Sequence, residues 1–124
     1  MPSKPANAAQ KQWMKDITEW SICNLGLLYG NEYDGAIIQR HHVLGRTARH
    51  NKIHIGHWFV NPVPFELHDV DSNHPLNVTH HKHCFTDTYG SQRGIFEIMC
   101  NSMESQGYEI PPDDAYYAIL DTRA

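Results

Sequence analysis

The sequence predicts an α+β fold in which a strand–loop–strand–loop–helix unit lies between helices at the two ends of the chain. Two observations lead to this prediction. Apolar residues recur at helical spacing near both ends, whereas short β-rich runs bounded by turn residues lie in the middle. At 124 residues the chain has the length of one domain, and it contains no internal repeat.

The outer elements are predicted to be helices. Residues 1–8, with two prolines and several small residues, are predicted to form a flexible leader to a single domain over residues 9–124. Apolar residues of the first helix fall near one face, and the sequence Gly30-Asn31 is a stop signal. The helices predicted at the two ends cover about residues 9–29, 92–106 and 113–120.

The central elements are predicted to be two extended segments followed by a helix. The run AIIQRHHV, residues 36–43, is typical of a strand, and residues 44–56 are predicted to be a polar, basic connection. The second extended run, WFVNPVPF at residues 58–65, contains two prolines, which favour a strand end or an edge strand. Thr79 fits the N-cap of a helix predicted from His80 to about Tyr89.

The composition excludes several classes of protein. No apolar run reaches the roughly 20 residues needed to cross a bilayer. The segment MPSKPANAAQKQW lacks the apolar region of a signal peptide, so a cytoplasmic protein is expected. The cysteines form no CxxC pair, which argues against a disulfide framework and against a four-thiolate zinc site. They are Cys23, Cys84 and Cys100.

The charge is unevenly distributed along the chain. A net charge of -4 argues against a generally basic nucleic-acid coat, but no Asp or Glu occurs between Gly35 and Phe65. A locally basic segment on an acidic protein favours a confined phosphate-contact site, with a solvated loop as the alternative. The basic residues of this segment are Arg40, Arg46, Arg49 and Lys52.

The ten histidines of the chain all fall between His41 and His83. Adjacent side chains of a strand point to opposite faces, so a simple core or surface role suits only one member of the His41-His42 pair. At a strand end or a bulge, both can be turned toward one site. Neutral imidazole is both a good ligand for borderline divalent metals and a good base near neutral pH. The pair therefore suggests a metal ligand beside a general base.

The segment from Ile37 to Met99 resembles the ββα-metal, or HNH, endonucleases. Among these it is most similar to the phage recombination enhancement function (Ref) nucleases. The likeness lies in QRHHVLGR, GHWFVNPVPFELHDV and THHKHCFTDTYGSQRGIF. The resemblance implies a ββα-metal core over about residues 36–90, flanked by N-terminal and C-terminal helices. The matching landmarks are His41-His42, Gly56-His57, Pro62, His68, His80 with Phe85, and Tyr89-Gly90.

The resemblance also implies roles for individual residues. One divalent ion (Zn, Mg, Mn or Ni) would be held by His41, His68 and His80. His42 would be the general base, and His57 would orient that base or contact phosphate. His74 is the alternative third ligand, although a helix start fixes a ligand more rigidly than a loop does, which favours His80. Lys82 and Arg93 match polar positions of the family and would hold DNA. The charge pattern, rather than the resemblance, adds the phosphate candidates Arg40, Arg46, Arg49 and Lys52.

The implied function is that of a metal-dependent phage or prophage DNA endonuclease or nickase linked to DNA recombination. It would act in the cytoplasm of a bacterial host on DNA, and a recombinase filament is a candidate additional partner. Two alternatives stay open: a non-catalytic DNA- or partner-binding module on the same fold, and a histidine-rich protein whose metal cluster is structural. The paired histidine favours the first function, since a purely structural site has no use for a base beside a ligand.

Overall fold

A computed structural model describes residues 5–124 and confirms the prediction of a mixed α+β chain. Residues 1–4 of the predicted leader lie outside the described residues. The helices are α1 (Ala8–Asn24), α2 (Gly26–Tyr29), α3 (Phe65–His68), α4 (Lys82–Tyr89), α5 (Gln92–Ser105) and α6 (Asp113–Leu120), with a 3-10 turn at Asn31–Tyr33. The strands are β1 (Ile38–His42), β2 (Arg49–His50), β3 (Ile53–His54) and β4 (Val60–Pro64).

The strands form two separate antiparallel ribbons, β1 with β4 and β2 with β3. In the first ribbon His41 lies opposite Asn61, and His42 lies opposite Val60. Every residue of β4 is buried, including Pro62 and Pro64. Within residues 5–124, β4 pairs with β1 alone, so these prolines interrupt no second ladder. This agrees with the edge position that the two prolines predict.

The core lies between α1, β4 and α5. Trp13 of α1 and Phe59, just before β4, both pack edge-on against Phe96 of α5, with ring centroids 6.3 and 5.3 Å apart. All three side chains are almost completely buried, and burying such a side chain contributes roughly 1.5–3 kcal/mol. This core fixes the inner face of β4 and leaves β1 on the outside, where its side chains are half-buried or exposed.

The predicted first helix is divided into α1 and α2. The helix begins with a capping box. The Asn7 side chain accepts from the backbone N–H of Gln10 at 2.8 Å, and the Gln10 side chain accepts from that of Asn7 at 2.9 Å. It stops at Asn24 because the backbone N–H of Gly26 donates to the carboxylate of Asp34, at 2.8 Å, rather than continuing the helix. The prediction of one continuous helix to Tyr29 is therefore wrong, because the helix is interrupted at Leu25.

The predicted start of α4 is also wrong, by two residues. The helix begins at Lys82, and Thr79 is not its N-cap. The Thr79 hydroxyl donates instead to the carbonyl of His68, at 2.6 Å. The backbone N–H groups of Thr79 and His80 both donate to Oδ1 of Asn77, which holds this segment in a turn. His80 consequently lies before the helix.

The predicted connection over residues 44–56 contains the β2–β3 hairpin. Asn51 and Lys52 at its tip both have positive φ, as a two-residue type I′ turn requires. The usual signal for this turn is Asn-Gly, and here Lys replaces the glycine, which explains why the pattern does not reveal the hairpin. Among residues 5–124, no helix has both the length and the apolar character needed to cross a membrane.

Candidate functional site

Two predicted ligands, His41 of β1 and His68 of α3, meet on one face of the β1–β4 ribbon. Nδ1 of His41 lies 3.2 Å from Nε2 of His68, and the ring centroids are 4.9 Å apart. The meeting follows from the connectivity, because α3 directly follows β4 and β4 pairs with β1. The two imidazoles are therefore held on adjoining elements rather than on a loop.

A relay of side chains sets the tautomer of His68. Nδ1 of His68 contacts Oε1 of Gln39, and Nε2 of Gln39 donates to Oδ1 of Asp69 at 3.0 Å. A carboxylate only accepts, so the Gln39 amide must donate to Asp69 and turn its oxygen toward His68. His68 then donates from Nδ1, and its Nε2 carries the lone pair that faces His41.

Both imidazoles are neutral near neutral pH. Burial, followed by the charges of His68, His42 and Lys82, lowers the pKa of His41 to about 4. Burial also lowers the pKa of His68, with the Asp69 carboxylate acting in the opposite direction. A neutral imidazole has a lone pair available for a metal ion, so both residues are in the protonation state of a ligand.

The His41–His68 pair fits a shared divalent ion. Two nitrogen ligands at Zn–N distances of about 2.0–2.1 Å lie about 3.0–3.4 Å apart, depending on the ligand–metal–ligand angle. The observed separation of 3.2 Å falls within that range. Within residues 5–124, however, no group of three or more His, Cys, Asp or Glu side chains converges on one point. The pair therefore provides two ligands in this conformation.

The two candidates for a third ligand are directed elsewhere. His80 is exposed, and its Nε2 contacts the carbonyl oxygen of Val70 at 2.6 Å. Nδ1 of His74 accepts from the backbone N–H of Leu76, and its Nε2 lies 3.7 Å from a carboxylate oxygen of Glu66. Neither imidazole joins the His41–His68 pair in this conformation.

A cavity of about 390 Å³ opens beside His41. His83 and Lys82 of α4 line it, so His83 shares a cavity with His41. Its wall also includes Val43, Leu44, Val78, Thr79, Thr86, Asp87, Ser91, Gln92, Arg123 and Ala124.

Asn61 and Gln92 form a buried polar contact that the sequence interpretation does not identify. Asn61 lies directly opposite His41 and is completely buried, and its Nδ2 donates to the backbone oxygen and to Oε1 of Gln92, at 3.0 and 2.9 Å. Cross-strand partners share a face, so this amide pair supports the face that carries His41. A single Asn within the apolar run WFVNPVPF is the sequence feature that could have indicated this contact.

His42 belongs to the opposite face of the ribbon. Strand pairing continues through His42, so adjacent side chains alternate and the expectation that both histidines turn toward one site is not met. The His42 ring packs edge-on against His57, with centroids 5.7 Å apart. Burial, then the charges of Arg46, His57 and Arg40, lowers the pKa of His42 and keeps it neutral.

The cavity on the His42 face has a volume of about 420 Å³ and is basic. Three cationic side chains from separate parts of the chain line it, and none of the lining residues within 5–124 is acidic. Its wall consists of Pro5, Ala6, Lys11, Met14, Arg40, His42, Arg46 and His57. In the described part of the chain, this basic cavity shares no lining residue with the cavity beside His41.

The remaining predicted DNA contacts lie elsewhere. Arg49 and Lys52 lie at the β2–β3 hairpin, where an Arg49 nitrogen donates to the Lys52 carbonyl at 3.3 Å. Arg93 donates to the carbonyls of Thr122 and Leu120 at the end of α6, at 2.7 and 3.4 Å, which is a helix-capping contact. None of these three lines either histidine cavity.

The structure thus brings together His41 with His68 on one face, and His42 with His57, Arg40 and Arg46 on the other. It leaves His80, Arg49, Lys52 and Arg93 apart from both groups. No protein-family model, curated protein or solved structure matches the chain, so the functional interpretation depends on the geometry of these two faces.

Proposed function

We propose that the protein is a metal-dependent DNA endonuclease or nickase of the HNH type, which hydrolyses phosphodiester bonds. One observation carries the proposal: the ligand nitrogens of His41 and His68 lie 3.2 Å apart, and Gln39 and Asp69 hold the second imidazole in a metal-binding tautomer. Without an ion, Nδ1 of His41 can donate to Nε2 of His68 at this distance, and metal binding would replace that hydrogen bond. The chain order β1, β4, α4 is compatible with a ββα-metal core.

His41 and His68 would hold the divalent ion. When bound, such an ion stabilises the negative charge of the scissile phosphate and of the leaving oxygen. Imidazole donors suit Zn²⁺ or Ni²⁺, and Mn²⁺ and Mg²⁺ are the other two ions to be tested. Asp69 and Gln39 would keep Nε2 of His68 unprotonated, because each link in the relay has one allowed donor direction.

His42 would act as the general base. Its lowered pKa keeps the imidazole neutral at physiological pH, so it can accept a proton from water. The water oxygen forms a bond to phosphorus, the bond from phosphorus to the 3′-oxygen breaks, and that oxygen takes a proton from solvent. His57 lies edge-on to His42 and would limit rotation of its ring.

The scissile phosphate must then lie at the end of β1. His42 directly follows His41 and is the last residue of β1, so a phosphate at this strand end would be approached by one of them from each face. Arg40 and Arg46, which line the cavity on the His42 face, would contact the flanking backbone. Lys82 lines the cavity beside His41 and would contact the strand on that side.

A partner that delivers the substrate is part of the proposal. The net charge of -4 opposes tight binding to bare duplex DNA, because long-range repulsion reduces the rate of encounter. A recombinase filament, or another phage or host recombination protein, would overcome this by holding the DNA locally. The setting proposed for this activity is the cytoplasm of a phage-infected or lysogenic bacterium.

A second candidate is a non-catalytic DNA- or partner-binding module on the same fold. It is favoured by the contact of His80 with the Val70 carbonyl and by the lack of a third converging ligand within residues 5–124. Such a module would bind DNA or its partner through the cationic side chains of the basic cavity and would cleave no bond.

A plasmid assay distinguishes the two candidates. Metal-stripped protein and its His42→Ala variant are titrated with Mg²⁺, Mn²⁺, Ni²⁺ and Zn²⁺, and nicked and linear products are scored separately. His50→Ala is the matched control, because His50 contacts Asp121 and lines neither histidine cavity. We expect metal-dependent nicking that His42→Ala abolishes and His50→Ala preserves. No cleavage with any metal, with or without a recombinase filament, would leave the binding module.

A further inference from the structure

The basic cavity on the His42 face has a composition that is unusual for an acidic protein. Lys11 of α1, Arg40 of β1 and Arg46 of the following loop line the same concavity, and no carboxylate of the described residues lines it. Because like charges repel, three cations in one concavity oppose one another unless an anion is present. The cavity therefore presents positive charge that a bound anion would neutralise.

The three cations are not neutralised from within the described chain. Within residues 5–124, neither Lys11, Arg40 nor Arg46 forms an ion pair with a carboxylate. The side-chain contact of Arg40 is with a neutral group, since its Nε donates to the Thr18 hydroxyl at 3.0 Å. The Thr18 hydroxyl in turn donates to the Met14 carbonyl at 3.1 Å.

The Thr18 contact orients Arg40 without consuming its charge. It uses Nε and leaves the two terminal nitrogens of the guanidinium for another acceptor. An oriented guanidinium loses less conformational freedom on binding an anion than a freely rotating one does. Lys11 and Arg46 are exposed and can move toward a bound group.

We propose that the basic cavity is a phosphate subsite that binds the DNA backbone without a divalent metal, with Lys11 as a contact from outside the strand–strand–helix unit. Phosphate fits because it is an anion with several acceptor oxygens, which can be shared among cations that approach from different directions. The choice of DNA as the source of the phosphate rests on the proposed function.

The proposal divides DNA binding between the two faces of β1. The His41–His68 face depends on a bound metal, whereas the basic cavity depends on charge alone. Binding through the cavity should therefore survive chelation and weaken steeply with salt. Removing one phosphate-binding cation makes the slope of log K against log salt concentration shallower by about 0.9 for duplex DNA and about 0.7 for single strands.

The test is fluorescence anisotropy of labelled single-stranded and duplex oligonucleotides in EDTA, over a series of chloride concentrations. The full chain is compared with Lys11→Ala and Arg46→Ala. Lys15→Ala is the matched control, because Lys15 is also an exposed lysine of α1 but does not line the cavity. A second arm replaces chloride with inorganic phosphate at equal ionic strength, and thermal melting checks that each variant folds.

We expect Lys11→Ala and Arg46→Ala each to reduce the salt slope by the amount of one phosphate contact, and Lys15→Ala to leave it unchanged. Inorganic phosphate should compete with the oligonucleotide in the parent protein and less in the two variants. Unchanged slopes in both variants, or no DNA binding in EDTA, would overturn the proposal. If the protein cleaves DNA with metal but both variants keep the parent's salt slope, the phosphate subsite is wrong and the nuclease function stands. If both variants reduce the salt slope but no metal supports cleavage, the subsite stands and the nuclease function is wrong.

Discussion

Nδ1 of His41 and Nε2 of His68 lie 3.2 Å apart, and the amide of Gln39 joins His68 to the Asp69 carboxylate. Gln39 and His41 are two residues apart on β1, so they share a face of the ribbon. One strand thus contributes both a candidate ligand and the residue that orients its partner. Testable consequences follow from this arrangement and from the contacts that surround it.

Removing the Gln39 amide should weaken metal binding without removing a ligand. In Gln39→Ala, His68 loses the acceptor for its Nδ1 proton, and its tautomer and ring orientation are no longer fixed. Such supporting contacts contribute about 10- to 100-fold to metal affinity. Calorimetric titration of metal-stripped protein with Zn²⁺ measures the effect. The control is Gln12→Ala, an exposed glutamine whose amide contacts Asp16. Equal affinity in the two variants would contradict the relay.

The third ligand can be identified by comparing His83→Ala with His80→Ala and His74→Ala in the same titration. We expect His83→Ala to lower Zn²⁺ affinity the most, because His83 shares a cavity with His41 while the other two imidazoles have contacts elsewhere. A larger loss in His80→Ala would support the third ligand implied by the sequence resemblance. It would also mean that the Val70 contact breaks when metal binds.

Gly56→Ala should destabilise the loop that carries Arg46. A Cβ at Gly56 would lie 2.1 Å from the backbone oxygen of Arg46, and backbone cannot move aside as a flexible side chain can. Overpacking of this kind costs about 1–3 kcal/mol. Urea denaturation measures the loss, with Thr47→Ala as an exposed control in the same loop. An unchanged midpoint would show that the loop is free to shift.

Arg93→Ala should affect stability rather than DNA affinity. Its guanidinium donates to carbonyls at the end of α6, so its loss leaves those acceptors without this partner. We expect a lower melting temperature and an unchanged salt slope of DNA binding. Lys82→Ala is the comparison, since Lys82 lines the cavity beside His41. A reduced salt slope in Arg93→Ala would restore the DNA-contact role that the sequence resemblance implies.

The cysteines should react with a thiol reagent in two classes. Cys23 and Cys84 are exposed, whereas Cys100 is buried, and burial raises the pKa of its thiol. We expect Cys23 and Cys84 to be labelled in the native protein, whereas Cys100 should react only after denaturation. Mass spectrometry of labelled peptides measures each site, and early labelling of Cys100 would show local opening of α5.

Much of the secondary structure could be predicted because its signals are local. The apolar spacing of α5 indicates that helix directly, and the structure adds its N-cap, in which the Ser91 hydroxyl accepts from Gly94 N–H at 3.0 Å. Both strands of the larger ribbon were also predicted, with ends two residues or fewer from those observed. The start of α4 was missed because Thr79 bonds the His68 carbonyl, which is distant in sequence.

The sequence by itself determined which chemical groups are present: a run of imidazoles, a basic stretch without carboxylates, and the strands and helices that carry them. Only the tertiary structure decided which of these groups meet. Strand pairing separated His41 from His42, and α3 brought His68 back to β1. The turn at Asn77 directed His80 to Val70 instead. The physical reason is that the spacing of apolar residues indicates only the local backbone conformation. Which side chains meet depends on strand register and on hydrogen bonds between segments that are distant in sequence.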